Sequence, residues 1–159
     1  MKASILTALL AGLAAASTAQ AAEPVAQPNA LFRLYKADGS TLLGQAVITA
    51  GGGMPTISVR QADALVMANG RCAFNVKYDE VSPVALKGTT NRLYSNDTLV
   101  AQNTAIDLAA GVLRTIWTQP YLFAGVNNVK VVLNADGARP TVGWVRVNVD
   151  GTCLAAPPA

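Results

Sequence analysis

The chain carries two cysteines, nine acidic residues and no histidine, and this inventory limits the chemistry it can host. Serine or cysteine nucleophiles of the triad type need an imidazole to take up their proton, so both are excluded. A structural zinc usually draws its four ligands from cysteine and histidine, and neither a metal nor another cofactor is expected. A serine–lysine pair is formally open, with Ser58, Ser82 or Ser95 and Lys77 or Lys87, but no spacing selects one. Glycoside hydrolysis needs two carboxyl groups facing each other across a cleft. Asp79 and Glu80 are adjacent, so in a strand they point to opposite faces. Asp38, Asp97, Asp136 and Asp150 sit in turn positions, where Asx hydrogen bonding accounts for them. Two of those turns would have to share one end of the domain to make a calcium site. Gly51-Gly52-Gly53 is a flexible joint, since neither GxxxxGK nor GxGxxG occurs. The chain is expected not to be an enzyme.

Cys72 and Cys153 lie 81 positions apart without a Cys-x-x-Cys motif. In an oxidising compartment such a pair is most simply a disulfide. Closing a loop of that size stabilises by roughly 4–5 kcal/mol on chain-entropy grounds. The N-terminus points to the same compartment. Lys2 precedes an apolar run from Ile5 to Ala16, and Ala19-Gln20-Ala21 fits the small-x-small pattern of a signal peptidase site. Residues 1–21 are therefore expected to be a signal peptide cleaved before Ala22. The run falls far short of the roughly 20 residues that span a bilayer, so no membrane insertion is expected after cleavage. The destination is periplasmic or secreted, in a bacterium. Cleavage removes Lys2 and no acid, lowering the formal charge by one from +3. The other basic residues are scattered from Arg33 to Arg146; nucleic-acid binding needs them clustered, and none is expected.

The aromatic residues are the stronger functional lead. Trp117, Tyr121 and Trp144, with Arg114 and Arg146, form a candidate binding surface, because tryptophan, tyrosine and arginine dominate binding hot spots. Trp144 and Arg146 alternate with Val145, Val147 and Val149. If the valines are inward, Trp144 and Arg146 are outward. Burial of the tryptophans in the core is the competing reading. The partner would be a protein or a surface glycan; nothing in the sequence sets the oligomeric state.

Short β segments must position these residues. Residues 22–30 form an irregular leader with two prolines. Leu31–Lys36 and Leu42–Thr49 flank Asp38-Gly39, a hairpin signal, so residues 31–53 read as an N-terminal hairpin and Gly-rich joint. Ile57 and Val59 then alternate with polar residues, while residues 62–68 suit helix or strand. Cys72, Phe74, Val76 and Tyr78 share one face of a half-buried strand. Further strands are expected around Asn91–Tyr94, Leu99–Ala101, Val112–Trp117, Val129–Leu133 and Val145–Val149, with an Asn96-Asp97 turn. Asn96-Asp97-Thr98 fits the glycosylation pattern but is read as that turn. About eight short strands punctuated by Asp-Gly, Gly and Pro indicate an all-β sandwich over residues 54–154, followed by a flexible tail at 155–159. A small barrel is the architectural rival.

Several of these segments carry a resemblance. Ala73–Tyr78, Asn91–Tyr94 with Asp97–Val100, Leu108–Gly111 and Gly125–Asp136 resemble the bacterial immunoglobulin-like domains called CARDB, the cell-adhesion-related domains. The stretch from Asn75 to Val149 carries the resemblance, and the resembling unit covers about residues 55–149. The resemblance implies an immunoglobulin-like antiparallel β-sandwich, here with an extra N-terminal hairpin, and a non-enzymatic adhesion or binding role. A carbohydrate-binding module and a small extracytoplasmic hydrolase are the alternatives. Family members commonly place an acidic, Asn-rich turn after the aspartate. Here that segment is Gly137-Ala138-Arg139-Pro140-Thr141, so no calcium-dependent or acid-dependent role carries over.

Overall fold

The computed structural model describes residues 27–155. The expected signal segment, the first residues of the leader and the end of the tail lie outside the described residues. Twelve strands follow in order. They are β1 (Asn29–Tyr35), β2 (Leu42–Ile48), β3 (Thr56–Arg60), β4 (Leu65–Val66), β5 (Cys72–Ala73) and β6 (Asn75–Val81), then β7 (Leu86–Ser95), β8 (Thr98–Leu108), β9 (Arg114–Thr118), β10 (Tyr121–Leu122), β11 (Gly125–Leu133) and β12 (Thr141–Asp150). A single 3-10 turn, Gln61–Asp63, is the only helical element among the described residues.

One sheet has the order β2-β1-β6-β9, a second β3-β12-β11-β7-β8, and a small third β10-β5-β4. At one border β2 packs against β3 and β12; at the other β9 meets β8. The two larger sheets thus face each other as a sandwich, the all-β immunoglobulin-like class expected. Alternation fills the space between them. Phe32, Leu34, Val76 and Tyr78 point in from one sheet, and Val129, Val131, Leu133, Val145, Val147 and Val149 from the other. The third sheet continues the inward run with Cys72 of β5, and Phe74, between β5 and β6, is buried with it.

The hairpin at 31–53 forms, but it is no appendage. β1 pairs with β6 along its whole length, from Asn29↔Val81 to Tyr35↔Asn75, while its other edge pairs with β2. The sandwich therefore does not begin at residue 54; it includes both hairpin strands. The reason is burial: Phe32 and Leu34 close the core, and without β1 the edge of β6 would be left unpaired. Strand β1 also reaches back to Asn29, two residues into the expected leader. Asp38 organises the turn, accepting hydrogen bonds from the Thr41 hydroxyl and from the Ser40 and Thr41 amides. These donors, the hydroxyl foremost, hold its carboxyl at about 2.

Other boundaries shift for the same non-local reason. β8 runs on to Leu108, well past the short return expected, because it stays paired with β7 from Ser95↔Thr98 to Leu86↔Leu108. The segment expected as a strand from Val112 begins only at Arg114, with Val112 and Leu113 exposed ahead of it. Residues 62–68 hold part of the 3-10 turn and β4. Asn96 and Asp97 have φ of 48° and 69°, the left-handed pair of a two-residue primed hairpin turn. All strand pairings are antiparallel except β3 with β12, which is parallel, so the second sheet is mixed. Gly51-Gly52-Gly53 carries the chain from β2, at the edge of one sheet, to β3, at the edge of the other. Close packing at that border depends on Gly143, where a Cβ would stand 2.7 Å from Ile48 Cγ2.

Candidate functional site

Cys72 and Cys153 are joined, with Cα atoms 5.6 Å apart and both residues buried. Cys153 follows the end of β12, and the Leu154 amide donates to the Gly70 carbonyl at 2.7 Å. The bond thus fastens the chain end to the small sheet through β5. Tyr121 lies beside it, paired in register with Ala73. The Arg71 guanidinium sits 4.1 Å over the Tyr121 ring, and Phe123 meets that ring edge-on. A depression of about 230 Å³ there is lined by Arg71, Tyr121, Phe123 and Leu154, among others.

Trp144 and Arg146 project from β12 on the solvent side of the five-stranded sheet. Their neighbours Val145 and Val147 are completely buried, whereas Trp144 is 37% exposed. Register places Lys130 of β11 between Trp144 of β12 and Tyr94 of β7. Its ammonium lies 4.8 Å from the Tyr94 ring and 6.0 Å from the Trp144 ring. Two residue pairs along, on the same face, Arg146 stands opposite Asn128 and its Nε donates to Asn128 Oδ1 at 3.4 Å. Met54, Asn128 and Trp144 enclose a shallow depression of about 320 Å³. Of the cations on this face, Arg92 forms two hydrogen bonds to Asp136 and Arg60 pairs with Asp63. Lys130 and Arg146 form no ion pair among the described residues.

Trp117 is elsewhere. It is 49% exposed on β9, at the edge of the four-stranded sheet, while Ile116 beside it is buried. It therefore faces solvent on the opposite side of the sandwich from Trp144. Its ring centroid lies 5.5 Å from that of Tyr35, and Lys77 approaches to 5.8 Å. Charge on this face closes on itself. Asp79 binds Arg33 at 2.8 Å, accepts from the Thr115 hydroxyl at 2.8 Å and lies 3.9 Å from Lys77. Arg114 shares neither tryptophan's surface. It has the inward phase of Ile116 and sits at the rim, where Nη1 donates to the Asp107 carbonyl at 2.8 Å. The five residues grouped from sequence thus divide among two outer faces, the rim and the disulfide end. Only Trp144 and Arg146 come together.

Two interior polar residues stand out, Glu80, which the sequence placed only on the face opposite Asp79, and Asn127, which it did not single out. Glu80 is wholly buried and shares the inward phase of Val76 and Tyr78. Its Oε1 accepts from Asn91 Nδ2 at 2.7 Å, while Oε2 has no partner. Burial pushes its carboxyl above the ordinary range, and Asn91 and Arg114 pull more weakly the other way. Asn127 is equally buried. It accepts from the Ser95 hydroxyl and the Phe123 amide, and it donates to the carbonyls of Phe123, Gly125 and Val147. It pins the β10–β11 connection to β7 and β12. The available signal was phase: Asn127 lies two residues before Val129 on the same face.

Two of the serines considered for catalysis have other partners, and the third is solvent-exposed. Ser82 donates to the Val84 carbonyl, Ser95 to Asn127, and Ser58 lies exposed on β3. Lys87 is within 4.0 Å of Asp107, and Lys77 is on the outer face with Asp79. Among the described residues no three His, Cys, Asp or Glu side chains gather as metal ligands. No helix among them is long and apolar enough to cross a membrane, which says nothing of a β-barrel. No protein-family model matches this chain, and no curated protein matches it in sequence.

Proposed function

We propose that this protein is a non-enzymatic, extracytoplasmic binding domain, exported through a cleaved signal peptide to the periplasm or beyond in a bacterium. The carrying observation is the outer face of β12 and β11. There a partly exposed tryptophan and two cations without carboxylate partners stand on a rigid sheet, beside a shallow apolar depression. A ligand site is typically a mostly apolar concavity with a few well-placed polar groups. The disulfide supports the compartment, since such bonds persist where thiols are not kept reduced. The CARDB-like resemblance and its adhesion role agree with this reading.

Trp144→Ala supplies the test. The ring lies outside the core, so the variant should melt within a few degrees of the parent and lose capture of the protein's partner or glycan. Unfolding of the variant would make Trp144 a structural residue. Turnover of ester, peptide or glycoside substrates, abolished by replacing a carboxylate, would make the protein an enzyme.

A further inference from the structure

Resting on that binding role, we infer that the Trp144–Lys130–Arg146 face takes an acidic polysaccharide, with a sugar ring against Trp144 and its carboxylate or sulfate between Lys130 and Arg146. Three observations lead there. Lys130 is held over the sheet by rings on both sides, at 4.8 and 6.0 Å, so its charge is already placed before any ligand arrives. Such preorganisation lowers the entropic cost of binding. Arg146, two residues from Trp144 on the same face of β12, spends one guanidinium nitrogen on the neutral Asn128 amide oxygen and keeps its other donors for an anion. Between them, Met54 and Trp144 line the depression with apolar surface, and Asn128 adds an amide.

Lys130 is the feature that argues against a protein as the occupant. The centre of a protein–protein patch is enriched in aromatic residues, methionine and arginine but depleted of lysine. Here Lys130 stands in the middle of the face, opposite Trp144 of the depression's lining, and Arg146 stands opposite Asn128. A flat, extended polymer with repeated negative charge and ring faces satisfies both the cations and the tryptophan. The opposite face does not offer this, because Asp79 already neutralises Arg33.

Intrinsic tryptophan fluorescence titrations of the mature, disulfide-bonded protein would test the assignment. The probes are polygalacturonate, its fully methyl-esterified form, dextran sulfate and neutral dextran. Polygalacturonate or dextran sulfate should bind, at least about tenfold tighter than the ester or neutral dextran, and the affinity should fall as salt rises. Isothermal calorimetry should show about tenfold loss for Trp144→Ala and for the Lys130→Gln, Arg146→Gln pair, with Trp117→Ala unchanged. Near-UV circular dichroism confirms that each variant keeps its fold. No binding to either acidic polymer, equal binding to the neutral ones, or dependence on Trp117 instead of Trp144 would overturn the acidic-glycan assignment. Those results leave the broader binding role standing. Release of new reducing ends from the polymers would overturn the non-enzymatic role as well.

Discussion

The two outer faces of this sandwich carry similar residue types and use them in opposite ways. Each presents a tryptophan, a tyrosine and a lysine close to one another, Trp117 with Tyr35 and Lys77, and Trp144 with Tyr94 and Lys130. On the four-stranded sheet Asp79 sits among the cations and satisfies Arg33, Thr115 and, at longer range, Lys77. At one end of the five-stranded sheet Asp136, in the β11–β12 turn, is taken up by Arg92, and Lys130 and Arg146 stay open. Exposed aromatic and basic residues alone therefore do not distinguish a binding face from a solvated one. What differs between these two faces is the distribution of counter-charge, and an ion already paired offers little to a ligand.

The largest effect should come from removing what both faces share. The Cys72→Ser, Cys153→Ser double variant frees an 81-residue loop in the unfolded chain, at an estimated cost of about 4–5 kcal/mol. For a small domain that is most of its stability. Thermal melts with and without reductant should show the same large drop, and both faces should lose their order together. An unchanged melting temperature on reduction would show that the bond contributes little.

Adjacent carboxylates supply the next comparison. Asp79 faces out and is paired, whereas Glu80 faces in and has an unpartnered oxygen. Because burial raises the Glu80 pKa, the native state holds that proton more tightly than the unfolded chain. The stability it contributes is present below the ordinary value of 4.5 and is lost as pH rises from there through the raised folded value. Glu80→Gln removes the titrating group and should flatten this pH dependence, raising stability at neutral pH relative to acid. Melting temperatures of both proteins across the acidic-to-neutral range decide it. Parallel pH profiles would mean that Glu80 does not titrate in this window.

The smallest change sharpens the contrast between the faces directly. Asp79→Asn should cost about 1 kcal/mol or less, the usual worth of a surface pair, while leaving Arg33 and Lys77 without a carboxylate. The closed face would then resemble the open one in charge. New, salt-sensitive retention on an anionic resin that Trp117→Ala diminishes would confirm that counter-charge separates the two. Retention unchanged from the parent would point instead to shape, since only the five-stranded face has the Met54–Trp144 depression.

Much of this architecture is written in local pattern. Alternation around Val145, Val147 and Val149 correctly puts Trp144 and Arg146 outward, and the phase of Phe74, Val76 and Tyr78 correctly puts them inward. Asn96-Asp97 and Asp38-Gly39 mark their turns because side-chain chemistry and φ preference act within a few residues. The cysteine count, in the absence of histidine, points to the bond that forms. All of these are properties of short segments or of composition.

Sequence by itself therefore determined the strand phases, the turns, the β class and the disulfide pair. Beyond the hairpins marked by Asp38-Gly39 and Asn96-Asp97, tertiary structure alone decided which strands are neighbours. β1 joins β6 across more than forty residues (Phe32 opposite Tyr78), and β3 lies parallel to the final strand. Those pairings put Trp117 and Trp144 on opposite faces, bring Lys130 between two rings and set Asp79 beside Arg33. The physical reason is that alternation specifies inside against outside along one strand, with a period of two residues. It contains no record of the partner strand, whose choice depends on the closure of a common core by residues distant in the chain.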